Sequence, residues 1–121
     1  MQNKREIGFE KEKKAAQFLQ ENGYKIITTN FAAKCGEIDI IAKDKDCLVF
    51  VEVKYRKNTN YGSPVEAVTF KKQKKISKTA IIYLRQNKVR TDFRFDIVSI
   101  VADNIEIIKS AFSMPAGRYY I

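Results

Sequence analysis

The sequence predicts an α/β fold: a single domain over residues 1–121, with a mixed β-sheet flanked by helices in the order αβββαββ. Three observations predict it. Two segments, opening at Asn3 and Thr69, carry apolar residues at helical spacing behind a capping residue. Shorter segments rich in Ile, Val and Phe read as strands between polar turns. A length of 121 residues is enough for one core and too little for two.

The elements follow in order. Asn3 with Glu6 three residues on is a helix N-cap signal, and Gly23 fits the position just past a helix end, so a helix is predicted over 4–22. Tyr24–Phe31 is β-like. Glu37–Ala42 and Cys47–Arg56 read as strands around the polar turn KDKD, and residues 57–64, KNTNYGSP, as a loop. Thr69 caps a second helix over 70–87. Asp92–Ala102 reads as a strand, and Asp103-Asn104 turns the chain into Ile105–Lys109. The tail from Ser110, SAFSMPAGRYYI, has no decisive pattern. Strands interleaved with helices in this way point to a mixed sheet.

Composition narrows the chemistry. Apolar content of 45% and charged content of 31% are those of a globular chain. No apolar run approaches the roughly 20 residues that cross a bilayer, and MQNKREIGFEKEKK has no signal-peptide core. A cytoplasmic protein without a membrane partner is expected. Cys35 and Cys47 form no CxxC pair and read as small semi-buried thiols. The absence of histidine removes Ser-His-Asp and Cys-His catalysis and His-based zinc sites. Catalysis would then rest on carboxylates, Lys, Tyr or a hard metal ion. The net charge is +9, and residues 71–90 hold eight basic residues and no acidic one. That asymmetry points to a polyanion partner, nucleic acid above all.

The two strands around KDKD carry the candidate chemistry. With the turn centred between Lys45 and Asp46, Asp39 faces Glu52 and Glu37 faces Lys54, all on one face of the sheet. Ile38, Ile40, Val51 and Val53 take the other face. Two carboxylates directly opposite have Cβ atoms about 5 Å apart and repel. A shared proton or an intervening cation resolves this. A divalent ion with oxygen ligands fits, because Mg²⁺ takes one or two carboxylates plus phosphate oxygens. Lys54 then lies beside the ion, placed to stabilise a phosphate. An exposed salt-bridge ladder is the competing explanation. VFVEV reads as a central strand, where an unpaired carboxylate is costly.

Two polar residues interrupt the apolar helix faces. Glu12 falls within the stripe Gly8, Ala15, Ala16, Leu19 of the first helix, so it either reaches solvent at the stripe's edge or points toward the metal site. Gln73 falls within the face Phe70, Ile76, Ala80, Tyr83, Leu84 of the second. It either binds phosphate or is a satisfied buried amide. Lys71, Lys74, Lys75 and Lys78 lie opposite or beside that face, as candidate nucleic-acid contacts.

The run GEIDIIAKDKDCLVFVEVKYR resembles the signature of the YraN-like family. That family is a bacterial group of the restriction-endonuclease-like, PD-(D/E)XK nuclease superfamily, similar to archaeal Holliday-junction resolvases. NGYKIITTNF, YGSPVEAVTFKKQKKI and RFDIVSI extend the resemblance over most of the chain. It implies a restriction-endonuclease-like domain and Mg²⁺- or Mn²⁺-dependent hydrolysis of DNA phosphodiesters, with branched or damaged DNA as substrate. By position, Asp39 stands for the metal-binding Asp, and Glu52 and Lys54 for the ExK pair. The Val53 carbonyl would join the ion. Glu12 matches the first-helix acid of a G-x-x-G-E pattern in which Lys11 replaces the second glycine, and Gln73 matches a polar helix position. Arg94-Phe95-Asp96 also match, with no role that physics assigns from sequence. A catalytically inactive nucleic-acid-binding protein and a protein–protein adaptor are the alternatives. Resolving a symmetric junction would require two active sites and hence a homodimer, which nothing in the sequence specifies.

Overall fold

Asn3 begins the first helix as expected: its backbone is extended and its side chain accepts the Glu6 N–H at 2.9 Å. The computed structural model describes residues 3–58, 60 and 62–114. Helix α1 (Lys4–Glu21) ends at Asn22, and Gly23 follows with φ of 88°, a left-handed conformation that glycine adopts without strain. Strands β1 (Lys25–Ala33), β2 (Gly36–Asp44) and β3 (Cys47–Arg56) form an antiparallel meander. The β2–β3 turn is Lys45-Asp46, with Lys45 left-handed at φ 56°. It sets the expected register, with Asp44 opposite Cys47 and Ile40 opposite Val51.

Thr69 caps helix α2 (Phe70–Gln86), its hydroxyl accepting the Lys72 N–H at 3.2 Å. The helix returns the chain so that β4 (Phe93–Val101) runs parallel to β3, and β5 (Asn104–Phe112) folds back antiparallel. The sheet order is β1-β2-β3-β4-β5, mixed and with β3 central. This is the αβββαββ arrangement expected from sequence. Strand β5 runs past Lys109 into the undecided tail, with Phe112 opposite Phe95 and the two rings stacked at 4.9 Å. The tail beyond Met114 lies outside the described residues. Among the described residues no helix is long and apolar enough to cross a membrane.

Side chains on alternate positions of β3 fill two cores. Leu48 and Phe50 pack with Ile76, Ala80 and Tyr83 of α2. Val49 and Val51 pack with Ala15 and Leu19 of α1. One helix therefore covers each face. Two expectations are corrected here. Ile38 does not share a core with Ile40 and Val51; it belongs to the α2 side with Ile41. Alternation breaks at Asp39, opposite Asn30 in β1, whose backbone is left-handed at φ 54°. Phe70 is not buried but 62% exposed, because it lies on the first turn of α2, ahead of the first residue that the helix buries.

Arg94 and Asp96 acquire a role. Asp96 is fully buried and accepts Tyr24 Oη at 2.8 Å, Arg94 Nε at 2.9 Å and the Ser110 N–H at 3.0 Å. Arg94 continues to Asp44 at 2.6 Å, and Lys109 reaches the same Asp44 oxygen at 3.3 Å. The network ties β2, β4, β5 and the α1–β1 connection at the end of the sheet where β4 begins. Burial, then the Asp96 carboxylate, raises the Tyr24 phenol well above its ordinary value.

Candidate active site

Strands β2 and β3 pair from their turn as far as Ile40 and Val51. Continuing the register would set Asp39 opposite Glu52. Instead the Asp39 carboxylate accepts the Val53 N–H at 2.8 Å, so a side chain takes the place of the ladder. Strand β3 stays paired with β4 through Arg56 while β2 diverges toward β1. A cavity of about 540 Å³ opens at this divergence, lined by Asp39, Glu52, Val53 and Lys54 from the strands. Glu12 and Lys11 reach it from α1, and Lys72 from α2. It lies at the C-terminal half of β3, the end at which open α/β sheets place ligands.

Its electrostatics are those of crowded carboxylates held by lysines. Glu52 is 6% exposed; one oxygen accepts Lys72 Nζ at 2.9 Å, and the other is buried without a hydrogen-bond partner among the described residues. Burial and the Glu52 charge push the Asp39 carboxyl up to about 7, against the Val53 hydrogen bond. Burial and the charge of Glu37 raise Glu12, against the nearby Asn30 side chain, and one of its oxygens is buried without a hydrogen-bond partner among the described residues. Burial and the neighbouring Lys72 lower Lys54. Burial pulls Lys72 down, but the neighbouring Lys54 amine and the charge of Glu52, which Lys72 Nζ meets at 2.9 Å, outweigh that and raise it. Lys72 is thus the cation that holds its charge, and Lys54 the amine that gives its charge up first.

The fit to a divalent ion follows from these atoms. Among the described residues no three acidic or thiol side chains converge into a metal cage. Mg²⁺ does not need one, since one or two carboxylates with phosphate oxygens suffice. The unpartnered oxygen of Glu52 and the elevated Asp39 carboxyl are donors that a cation would satisfy.

The other candidates fall as follows. Gln73 does not line the cavity; its amide donates to the Val68 carbonyl at 3.0 Å, fastening the segment before α2. It is a satisfied amide. Glu37 does not face Lys54 but pairs across to Ala32 in β1, because β2 has left β3 by that point. Lys71, Lys74, Lys75 and Lys78 are exposed on α2, away from the cavity wall. Sequence reasoning missed Lys72. Its signal was present: Lys72, Ile76, Thr79, Ala80 and Tyr83 share the inward helical stripe. A run of lysines read as one basic face concealed it.

Comparison with known proteins places the chain among relatives. The profile of the uncharacterised protein family UPF0102 matches residues 11–100. A UPF0102 protein of Lachnoclostridium phytofermentans is 46% identical over 112 residues, covering 91% of this chain and 95% of that protein. One from Clostridium botulinum strain Loch Maree is 43% identical over 118 residues, covering 91% and 96%. One from Photobacterium profundum is 44% identical over 108 residues, covering 87% and 86%. The match runs from the middle of α1 into β4 and includes Glu12, Asp39, Glu52, Val53 and Lys54, and by it the chain belongs to the uncharacterised protein family UPF0102.

Proposed function

We propose that this protein is a metal-dependent deoxyribonuclease of the PD-(D/E)XK type, hydrolysing DNA phosphodiesters and acting on branched or damaged DNA. The observation that carries the reading is the divergence of β2 from β3. It leaves Asp39, Glu52 and Lys54 around one cavity, with a buried Glu52 oxygen that has no hydrogen-bond partner among the described residues. Asp39, Glu52 and the Val53 carbonyl would hold Mg²⁺ or Mn²⁺, which when bound supplies Lewis-acid polarisation of the phosphate.

The chain's own residues do the rest. The Val53 N–H fixes Asp39 in orientation. Lys54 presents its amine to the scissile phosphate and stabilises the charge that develops there. Glu12, with one oxygen unpartnered among the described residues, accepts a proton or a water hydrogen bond at the α1 side. Exposed Lys71, Lys74, Lys75 and Lys78 attract the polyanion without reading sequence.

Cleavage assays on single-stranded, duplex and four-way-junction DNA with Mg²⁺ test this. Cleavage that Lys54→Ala abolishes is the expected result. Cleavage indifferent to Lys54→Ala, or none on any substrate, overturns it. A second reading, nucleic-acid binding without cleavage, draws on one observation: Lys72 already neutralises Glu52. Salt-sensitive binding with no Mn²⁺ uptake in titration calorimetry would favour it.

A further inference from the structure

The cavity around the carboxylates is one section of a longer groove along α1. A second hollow of about 730 Å³ shares Lys4 and Tyr55 with it and continues to Lys57 and Ala67. A third of about 510 Å³ shares Gly8 and Glu12 and continues past Phe9 to Asn30. Glu12, Asp39 and Glu52 line the middle section and Glu37 the hollow beside Phe9, with Tyr55 at the other end. Tyr55 is 37% exposed and Phe9 53%. Each carries a cation: Lys11 Nζ lies 4.3 Å from the Tyr55 ring centroid, and the Arg5 guanidinium 5.9 Å from that of Phe9. A partly exposed ring with a cation over one face offers an unpaired nucleotide its remaining surface for the base and a charge for the phosphate.

Resting on the nuclease reading, we propose that the groove takes a single-stranded segment of nucleic acid, its bases stacking on Tyr55 and Phe9 on either side of the carboxylates. A continuous duplex cannot use these rings, because its bases are already stacked on both faces. The substrate class is therefore an unpaired strand, or the unpaired arm of a branched one. The exposed lysines of α2 meet phosphates elsewhere on the molecule, and the groove supplies the selection for single strands.

Fluorescence anisotropy in Ca²⁺, which takes the same oxygen ligands, tests this with a labelled single strand and a blunt duplex of equal length. The single strand should bind more tightly. Tyr55→Leu and Phe9→Leu should each weaken single-strand binding about tenfold and leave duplex binding unchanged. Tyr55→Phe keeps the ring and should retain affinity. A 2-aminopurine base in the strand should be quenched by the wild type and less by the leucine variants, whose folding is checked by thermal melts. Equal losses on both substrates, or no loss, overturn the stacking proposal and leave the nuclease reading to its Lys54→Ala test. Absence of binding to any nucleic acid overturns both. If sizing shows a self-associated wild type and a monomeric Phe9→Leu, the rings serve a second copy of the chain, and the proposal fails.

Discussion

The Asp39 carboxylate accepts the Val53 backbone N–H at 2.8 Å, where the β2–β3 ladder would otherwise continue. A side chain thus caps the end of one strand pairing while β3 goes on pairing with β4. The gap so made is the cavity, and the capping carboxylate is one of its acids. Fold and site meet in this single bond.

Its titration has a readable sign. The folded Asp39 carboxyl lies near 7, above its ordinary 3.8. Its contribution to stability is therefore complete below 3.8 and is lost as pH rises through about 7. Asp39→Asn keeps an oxygen for the Val53 N–H and removes the titration. In metal-free buffer the variant should melt several degrees above wild type at alkaline pH. The gap should close in acid. Circular dichroism melts across pH measure this, and parallel wild-type and variant profiles would contradict it.

Lys72→Met leaves Glu52 buried without its counter-charge. Lys72 is partly exposed, so the loss is about 1–3 kcal/mol and not the larger figure for a fully buried pair. Millimolar Mn²⁺ should restore stability to this variant more than to wild type, because the ion replaces the missing charge. Equal Mn²⁺ effects on both melts would show that Lys72 and a metal ion do not share Glu52.

Asp96→Ala removes the acceptor of Tyr24, Arg94 and Ser110 at once and leaves Arg94 short of a partner. A loss of about 3–5 kcal/mol is expected in denaturant unfolding. Tyr24→Phe deletes only the phenol bonds and should cost about 1 kcal/mol. DNA binding by the Tyr24 variant should match wild type, since the network lies apart from the cavity. A Tyr24→Phe loss equal to that of Asp96→Ala would refute this ordering.

Neutralising Lys71, Lys74, Lys75 and Lys78 together should lower the salt dependence of DNA affinity by about 1 logarithmic unit for each phosphate contact removed. Unchanged binding across a salt titration would remove α2's exposed face from the interface.

Much of this is legible in the sequence. A two-residue turn fixes pairing parity, so Lys45-Asp46 sufficed to predict the pairing of Ile40 with Val51. Glu12 was visible as a carboxylate in an apolar stripe, and it does line the cavity. What stayed hidden was non-local or non-periodic. The side taken by Ile38 depends on a left-handed Asn30 in the neighbouring strand. The role of Asp96 depends on Tyr24, Arg94 and Ser110, which only the folded chain assembles. Gln73 has a partner five residues before it in the chain, too ordinary a bond for a pattern to announce.

The parallel pairing of β3 with β4 also sets an order of assembly. The β1–β2–β3 meander closes through short turns, whereas β4 reaches β3 only after α2 and its flanking loops are spanned. Loop-closure entropy favours the short connections first. Asp39, Glu52 and Lys54 therefore come together early, in a nascent hairpin, while Lys72 arrives with the late-docking helix. Until then the Glu52 carboxylate remains hydrated and resists burial. The helix that docks after the hairpin brings the charge that lets the central strand close over.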